Sequence, residues 1–534
     1  MTDRHPINHA RSPSTDRTMA LDSFELHAKD SRASPHTMHV EDHSVEYSLD
    51  PSWDEAYAAT GLSPVARTYL INRHGTLDLD PMPSASDWDP YNWKQSKKVV
   101  MLLLVAFHSC MATIIASAII PAYSDMAKEF GNTLQDSTYL TAVQIAVLGV
   151  SPLAWRPLAN TYGRRPIFLL SLIMAGLGNI ACALSRTYGV MMFFRAVVAF
   201  FISPASAIGS AVVAETFLKK DRAKYIGIWM VMVTLGVPIG PLIFGFVTFR
   251  TDWRFIFWIL AIINGLQFIL YFFFGPETLY LRSEDDPPPY TNGKKSSFVA
   301  KYLNFRRINP RKLTVHDYFE PLRMIVRPCA VLPAVAYSTI FLFGSILTTI
   351  EIPQLFEEKF GLNTEQIGLQ FIGVIIGSLL GEQVGGTLSD LWMRRRKAKL
   401  AEQPPPEFRL WLSYFGYVIT VVGVAVFLVT TEKAPAGKWT VVPVVGTAVA
   451  AIGNQVVTTV LVTYAVDCAA ENAASVGVFM SLMRQIIGFL GPFWFPSMFT
   501  SVGLSNSSAI VAGLIIGLSI IPTALLQFKG HAWR

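Results

Sequence analysis

The chain has 534 residues, of which 51% are hydrophobic and only 15% are charged. Soluble domains carry about 25% charged residues, so this composition is typical of a membrane protein and excludes an ordinary soluble domain. The net charge of +6 arises from short basic runs between apolar stretches, which indicates membrane topology rather than nucleic-acid binding.

The first 97 residues are rich in Ser, Asp, His and Pro and show no apolar periodicity. Such a segment cannot bury enough apolar surface to fold, so residues 1–97 are predicted to form a disordered cytoplasmic tail. No apolar run comes before residue 99, and we therefore expect no cleavable signal peptide.

Twelve apolar stretches follow, each close to the roughly 20 residues that a helix needs to cross the hydrocarbon core. Six lie at about 99–120, 137–157, 166–185, 190–216, 225–248 and 254–275, and six at about 328–350, 366–389, 409–430, 438–462, 475–499 and 507–527. The sequence therefore predicts an all-α membrane protein of twelve transmembrane helices in two six-helix bundles. The predicted parts are an N-terminal bundle at 98–275, a cytoplasmic linker at 276–327, a C-terminal bundle at 328–528 and a cytoplasmic tail at 529–534.

Basic residues cluster in alternate loops, which is the pattern of cytoplasmic loops in multi-pass membrane proteins. Arg164 and Arg165 follow span 2, Lys219 and Lys220 follow span 4, and a basic run at 394–397 follows span 8. Both termini and the basic linker are therefore predicted to be cytoplasmic, in a multi-pass protein of the cell membrane.

The stretch from Tyr162 to Pro166 after span 2 resembles the loop signature of the major facilitator superfamily, and the loop after span 8 repeats it. Two positions depart from the family pattern: Arg156 replaces a glycine, and Asn160 replaces an acid. The resemblance implies that charge clusters brace the helix ends and that Arg164 pairs with Glu215. The cluster residues are Gly163, Arg164, Arg165 and Glu215 in the first half, and Asp390, Arg394 and Asp467 in the second.

Span 5 carries a second family pattern. Gly236, Gly240, Pro241 and Gly245 resemble the antiporter signature of the fungal twelve-span drug:proton antiporters. Glycines four residues apart allow helix backbones to approach closely. The resemblance implies that this contact seals the outward end of the protein and favours export, and ordinary helix packing is the alternative.

Three ionisable residues are predicted to lie inside the bilayer, where a charged side chain is costly and usually has a function or a partner. Arg195 stands about one turn into span 4, where the family signature has an arginine linked to proton transfer; the alternative is an arginine that reaches the membrane interface. Glu382 lies roughly 12 Å from the helix end at Asp390 and is the leading candidate proton carrier. Arg484 is its candidate counter-charge, although Glu382 could also be a structural acid bonded to Gln383 or Arg484.

The resemblance also implies a substrate cavity near the midplane, between the two bundles. Six polar or aromatic residues on the helices that line it are candidate substrate contacts, and helix packing is an equal alternative for each: Gln144, Ser203, Tyr337, Phe341, Asn454 and Gln455. An aromatic cavity with few fixed charges suits amphipathic substrates.

The predicted function is a proton-coupled secondary transporter that exports a drug, toxin or secondary metabolite by alternating access. The sequence contains no P-loop, nucleophile elbow or metal-ligand spacing, so we expect no catalytic residue, metal or cofactor, and energy from the proton gradient. The expected partners are the small-molecule substrate, protons and the lipid bilayer, with no nucleic acid and a monomeric state. Two alternatives stay open: a proton symporter for nutrient uptake, and a transporter-like receptor that moves no substrate.

Overall fold

The computed structural model describes residues 62, 64–281, 307–310, 312–400 and 405–533. Within them, twelve helical stretches are long and apolar enough to cross a membrane. These are spans 1–12: Gln95–Phe130, Leu134–Tyr162, Arg164–Ala183, Tyr188–Thr216, Lys219–Arg250, Arg254–Phe274, Pro328–Ile350, Thr364–Ala398, Pro406–Lys433, Val442–Cys468, Ala473–Phe493 and Leu504–Trp533. The described residues contain no β-strand. The predicted all-α fold of twelve spans is confirmed.

Several spans are assembled from shorter helices. Span 1 consists of Gln95–Ser117, Ile120–Ala122 and Tyr123–Phe130, and span 4 of Tyr188–Ile202 and Pro204–Thr216. The break in span 4 comes at Pro204, whose missing N–H and ring interrupt the helix ladder. The other pieces are Pro328–Phe341, Leu342–Leu347 and Thr348–Ile350 in span 7, Pro406–Leu410 and Trp411–Lys433 in span 9, Ala473–Leu490 and Gly491–Phe493 in span 11, and Leu504–Ile515, Ile516–Ile520 and Ile521–Trp533 in span 12. Outside the spans lie Pro64–His74, Pro90–Asn92, Val315–Phe319, Glu320–Val326, Ile352–Phe360, Ala470–Asn472 and Phe495–Val502, and the helix of span 8 continues to Leu400.

The two halves of the chain repeat one packing pattern. In the first half span 1 packs on span 5, span 2 on span 4 and span 3 on span 6. In the second half span 7 packs on span 11, span 8 on span 10 and span 9 on span 12. The halves meet chiefly through two crossings, span 2 with span 11 and span 5 with span 8.

A stripe of glycines on span 8 determines how closely it approaches span 10. Gly373, Gly377, Gly381 and Gly385 recur every fourth residue and therefore lie on one helix face. A Cβ atom at Gly377 would lie only 2.1 Å from the carbonyl oxygen of Ala448 on span 10. Because no larger residue fits there, the stripe fixes the rotation of span 8 against its neighbour.

The start of span 1 and the end of span 12 lie at one face of the molecule, here called the terminal face. At the other face, the opposite face, the two halves touch directly. A polar or aromatic pair makes each of four contacts: the Ser124 hydroxyl with the Glu357 carboxylate, the Gln135 amide with the Pro492 carbonyl, the Tyr139 ring stacked on Phe493 at 4.7 Å, and Arg250 with Glu365 at 3.5 Å. The molecule is therefore closed at the opposite face in this structure.

Part of the predicted disordered tail is folded, which corrects the prediction for residues 64–97. The buried Asp89 carboxylate accepts hydrogen bonds from the backbone N–H groups of Ser84 and Tyr91, and the Tyr91 hydroxyl donates to the Ala214 carbonyl of span 4. This segment is ordered by polar side chains that bind backbone groups, so it lacks the apolar periodicity on which the prediction depended. Residues 1–61 and 63 of the predicted tail lie outside the described residues.

One other predicted boundary differs from the structure. The predicted tail at 529–534 continues the last helix, which runs to Trp533. Within the predicted linker, residues 282–306 and 311 lie outside the described part of the chain, whereas the N–H groups of Ile308 and Asn309 both donate to the Thr161 carbonyl at the end of span 2.

Candidate functional site

Glu382 lies half-buried in span 8 and faces span 10. Its Oε2 atom accepts a hydrogen bond of 2.8 Å from the amide Nε2 of Gln455. The glycine stripe explains this geometry, because a Cβ at Gly381 would lie 2.8 Å from the Cβ of Gln455. The partner of Glu382 is thus an amide on the neighbouring helix, whereas the sequence led us to expect Gln383 or Arg484.

Gln455 also connects the two halves of the molecule. The same Nε2 atom lies 3.3 Å from the hydroxyl of Thr234 on span 5. Thr234 stands two residues before Gly236, within the span that carries the antiporter pattern. A polar bridge from Glu382 through Gln455 to Thr234 therefore crosses the interface between the bundles, and sequence reasoning missed the role of Thr234 in it.

Arg484 of span 11 contacts aromatic groups of span 7. Its Nη1 atom donates to the Tyr337 hydroxyl at 3.0 Å, and its guanidinium carbon lies 4.8 Å from the centre of the Phe341 ring. Its Nε atom is buried without a hydrogen-bond partner, and no described carboxylate pairs with it. Arg484 is therefore not the counter-charge of Glu382 in this structure.

The remaining predicted cavity residues differ in how their polar atoms are used. The Ser203 hydroxyl donates to the Phe200 carbonyl at 2.9 Å, as in ordinary helix packing. The Asn454 side-chain nitrogen lies 3.3 Å from the side-chain Oε1 of Gln455. Among the described residues, the Oδ1 atom of Asn454 has no partner, nor does either side-chain amide atom of Gln144. Buried polar groups normally have partners, so these unpaired atoms are the natural contacts for a substrate or water.

Arg195 is fully buried in span 4 and binds backbone carbonyl groups. Its Nη1 donates to Ile115 at 2.8 Å, its Nη2 to Ala116 at 3.0 Å and its Nε to Leu140 at 3.4 Å. Ile115 and Ala116 belong to the last turn of helix Gln95–Ser117, whose carbonyls lack partners within the helix. A cation at this position also interacts favourably with the helix dipole, so Arg195 caps helix Gln95–Ser117, the first piece of span 1.

The glycines of span 5 serve two different interfaces. A Cβ at Gly236 would lie 2.5 Å from the Cys110 carbonyl oxygen, and one at Gly240 would lie 2.5 Å from the Ser117 hydroxyl; both partners belong to span 1 of the same half. A Cβ at Gly245 would instead lie 3.0 Å from the Cα of Gly368 on span 8, in the other half. Pro241 lies on the same contact, since its carbonyl oxygen would be 2.9 Å from a Cβ at Gly368.

The predicted charge cluster of the first half is present at the terminal face. Arg164 Nη2 lies 2.6 Å from the Glu215 carboxylate, which confirms the expected pair. Its Nη1 donates to the Asn160 side chain at 2.6 Å, so the amide at the position where the family pattern has an acid contacts Arg164. Together these bonds tie the ends of spans 2, 3 and 4.

Glu277 completes this cluster, although the sequence analysis did not include it. Its carboxylate accepts hydrogen bonds from the backbone N–H groups of Arg164 and Arg165 at 2.8 and 2.9 Å. Burial raises the pKa of Glu277, which lies outside the spans, and the backbone hydrogen bonds oppose that shift. Gly163 allows this approach: its φ is +102°, and a Cβ there would lie 2.5 Å from the Glu277 carboxylate. The Arg165 guanidinium donates to the carbonyls of Tyr271, Phe272 and Gly275 at the end of span 6.

In the cluster of the second half, the basic residue is Arg409 and not the predicted Arg394. Arg409, at the start of span 9, lies 3.9 Å from Asp390 and 3.7 Å from Asp467. Arg394 is exposed and makes no contact of this kind with the described residues, because span 8 continues as a helix and carries it past the cluster. Arg409 and Arg164 each stand at the start of an equivalent span, and that equivalence could have identified Arg409.

Two cavities open near the opposite face. One of about 650 Å³ lies between spans 8 and 10, and one of about 770 Å³ lies between the two halves, beside Ser124 and Glu357. Neither is lined by any of the six predicted substrate contacts. The candidate site is the polar bridge of Glu382, Gln455 and Thr234, together with the adjacent Asn454.

Comparison with known proteins adds four findings. The family model described as Major Facilitator Superfamily matches residues 102–492. A Schizosaccharomyces pombe protein named an uncharacterized transporter is 27% identical over 462 residues, 84% of this chain and 91% of its own. "Probable efflux pump mfs2" of Aspergillus flavus is 25% identical over 422 residues, 78% of this chain and 98% of its own. The solved structure of a peptide transporter, POT, in complex with alafosfalin matches with a TM-score of 0.59 and 14% identity, covering 81% of this chain and 94% of that chain, which shows a shared fold.

Proposed function

Because the chain belongs to the Major Facilitator Superfamily and is a multi-pass membrane transporter, we propose that it exports a small organic molecule in exchange for protons. The observation that carries the proposal is the bridge from Glu382 through Gln455 to Thr234, which joins an ionisable group to both bundles.

The terminal face is cytoplasmic in this proposal, and the opposite face is extracellular. Lys219 and the basic run at 394–397 lie on the terminal side, as the positive-inside rule favours. The structure then has its outer end closed, and both termini are cytoplasmic. The membrane is the cell membrane, from which an exported compound leaves the cell.

Glu382 is the proposed proton carrier. A carboxylate in the bilayer is costly unless it serves transport or has a partner, and its single described partner is a neutral amide. Protonation removes the charge from the bridge and therefore changes the relative free energy of states in which the bundles are together or apart. Substrate and proton would favour different states, which is what exchange requires.

Arg484 is the proposed substrate contact. It presents a guanidinium without a carboxylate partner beside the rings of Tyr337 and Phe341. A guanidinium binds carboxylates and other acceptors through several N–H groups, and the rings add apolar contact area. The proposed cargo is therefore an amphipathic compound that carries a hydrogen-bond acceptor.

The export direction is supported by the antiporter pattern of span 5 and by the relative in Aspergillus flavus that is named an efflux pump. Gly245 brings spans 5 and 8 together at the outer end, where the structure is closed. A nutrient symporter of the same fold moves its substrate into the cell, so it would not need a contact at the outer end that favours release outward.

The test is gradient-driven flux of amphipathic compounds in liposomes for wild type, Glu382→Gln and a matched control, Glu358→Gln, which changes an exposed acid outside the spans. We expect gradient-driven flux to fall to the no-gradient level in Glu382→Gln and to be unchanged in Glu358→Gln. Exchange of labelled for unlabelled compound at equal pH should persist in Glu382→Gln, which shows that the variant is folded. If flux is the same with and without the gradient, and the same in wild type and Glu382→Gln, proton coupling is contradicted.

A further inference from the structure

A second carboxyl group, Glu351, is buried directly after the last residue of span 7. Its side chain is 1% exposed, and neither carboxylate oxygen has a hydrogen-bond partner among the described residues. The flanking residues Ile350 and Ile352 are also buried, so the group lies in an apolar environment. An ionised carboxylate in such a place is very costly, and the group holds a proton instead.

Glu351 lies near the interface between the two halves. The Tyr123 ring of span 1 is within electrostatic range of both Glu351 and Arg195. On the same segment, six residues further, the Glu357 carboxylate accepts a hydrogen bond from Ser124 of the other half. Glu351 therefore lies at the opposite face, beside a contact between the two halves.

No described cation balances Glu351. Tyr123 donates its hydroxyl to Thr141, and Arg195, behind it, binds backbone carbonyls. From the helices packed around span 7, Arg484 is engaged with Tyr337, and Glu432 accepts hydrogen bonds from Ser505. Desolvation alone raises the pKa of Glu351, to about 8.

We propose that Glu351 is a second proton-binding site, which takes up an extracellular proton when the outer end closes and releases it when that end opens. The proposal rests on the proposed orientation, in which the opposite face is extracellular. Opening exposes the carboxyl to water and stabilises its ionised form. The proton returns to the side from which it came, so the site controls closure and carries no net proton across the membrane.

The sign of the pH dependence follows from linkage. The closed state binds the proton more tightly than the open state, in which the pKa of a hydrated glutamate is close to its ordinary value of 4.5. The preference for closure is therefore complete below about pH 4.5 and is lost as the pH rises towards about 8. Within this window each pH unit changes the ratio of closed to open protein by up to about tenfold.

The experiment is a distance measurement across the outer end by pulsed electron paramagnetic resonance, on full-length protein in liposomes between pH 5 and 8.5. Nitroxide labels at Arg186→Cys and Lys438→Cys report on the two halves, since both positions are exposed in loops at that face. Cys468→Ser removes the one described cysteine that is not buried.

For Glu351→Gln we expect a closed population that stays high and that changes with pH clearly less than in wild type, the remaining change coming from Glu382. Wild type, Glu358→Gln and Glu382→Gln should all lose closed protein as the pH rises. Because Glu382→Gln tests the flux proposal separately, loss of proton-driven flux with an intact pH response supports both ideas independently. If Glu351→Gln follows the wild-type curve, or if wild type shows no pH response, the second site is wrong. Glu351→Leu is the alternative neutral variant, and failure of both to fold also contradicts the proposal, which requires a neutral side chain there.

Discussion

The glycine of span 5 that crosses to the other half gives the most direct test of how the outer end closes. We predict that Gly245→Ala shifts the protein towards states in which that end is open. The substitution adds one methyl group at the crossing of spans 5 and 8. In the closed structure that carbon would lie 2.9 Å from the Thr364 carbonyl oxygen and 3.0 Å from the Cα of Gly368.

The size of the effect follows from these distances. Carbon atoms in good contact lie about 3.5–4.0 Å apart, so the backbones must separate locally by about 0.5–1 Å. Overpacking of this kind costs about 1–3 kcal/mol, and opening the outer end relieves it. A free-energy difference of that size changes the ratio of closed to open protein by about 5- to 150-fold.

The assay is the same distance measurement between labels at positions 186 and 438. Gly265→Ala is the matched control, because a Cβ at that position of span 6 meets nothing within 4 Å. Gly236→Ala is the second comparison: its new carbon would lie 2.5 Å from the Cys110 carbonyl oxygen, within one half, so opening does not relieve the strain. We expect Gly236→Ala to lower the melting temperature and to leave the distance distribution unchanged.

Two outcomes would refute this reasoning. One is a distance distribution for Gly245→Ala that matches wild type at every pH. The other is an equal shift for Gly236→Ala and Gly245→Ala, since the strain would then not depend on which half the glycine contacts.

Three further substitutions test the contacts around the site. Gly163→Ala should lower the melting temperature, because a positive φ costs a side chain about 1–3 kcal/mol and the new carbon would lie 2.5 Å from the Glu277 carboxylate; an unchanged melting curve would argue against the cluster as a brace. Arg195→Met should also lower the melting temperature, because each backbone carbonyl that loses its hydrogen bond to Arg195 costs about 1–3 kcal/mol. An unchanged melting temperature for this variant would show that capping is unimportant. Thr234→Val should leave the melting temperature unchanged and change the ratio of closed to open protein about fivefold, because it removes one hydrogen bond to Gln455 of about 1 kcal/mol. A distance distribution identical to that of wild type would contradict the bridge.

Span number and the terminal-face cluster were predictable because they depend on local properties. Each span is a run of apolar residues whose length matches the bilayer, and Arg164 and Glu215 stand at helix ends that face the same compartment. The folded segment before span 1 was missed because Asp89 orders it through backbone hydrogen bonds, which leave no periodic pattern. Residues with polar partners close in sequence are difficult to separate from disordered ones by composition.

The sequence by itself determined which residues lie in the membrane and which helices carry the ionisable groups, since both follow from hydrophobicity along the chain. Only the tertiary structure decided the partners: Gln455 for Glu382, Tyr337 for Arg484, Arg409 for Asp467, and none in the described part of the chain for Glu351. The physical reason is that a partner depends on the rotation and crossing of two distant helices. Close glycine contacts, such as Gly381 against Gln455, fix that rotation, and they exist only once the helices have packed.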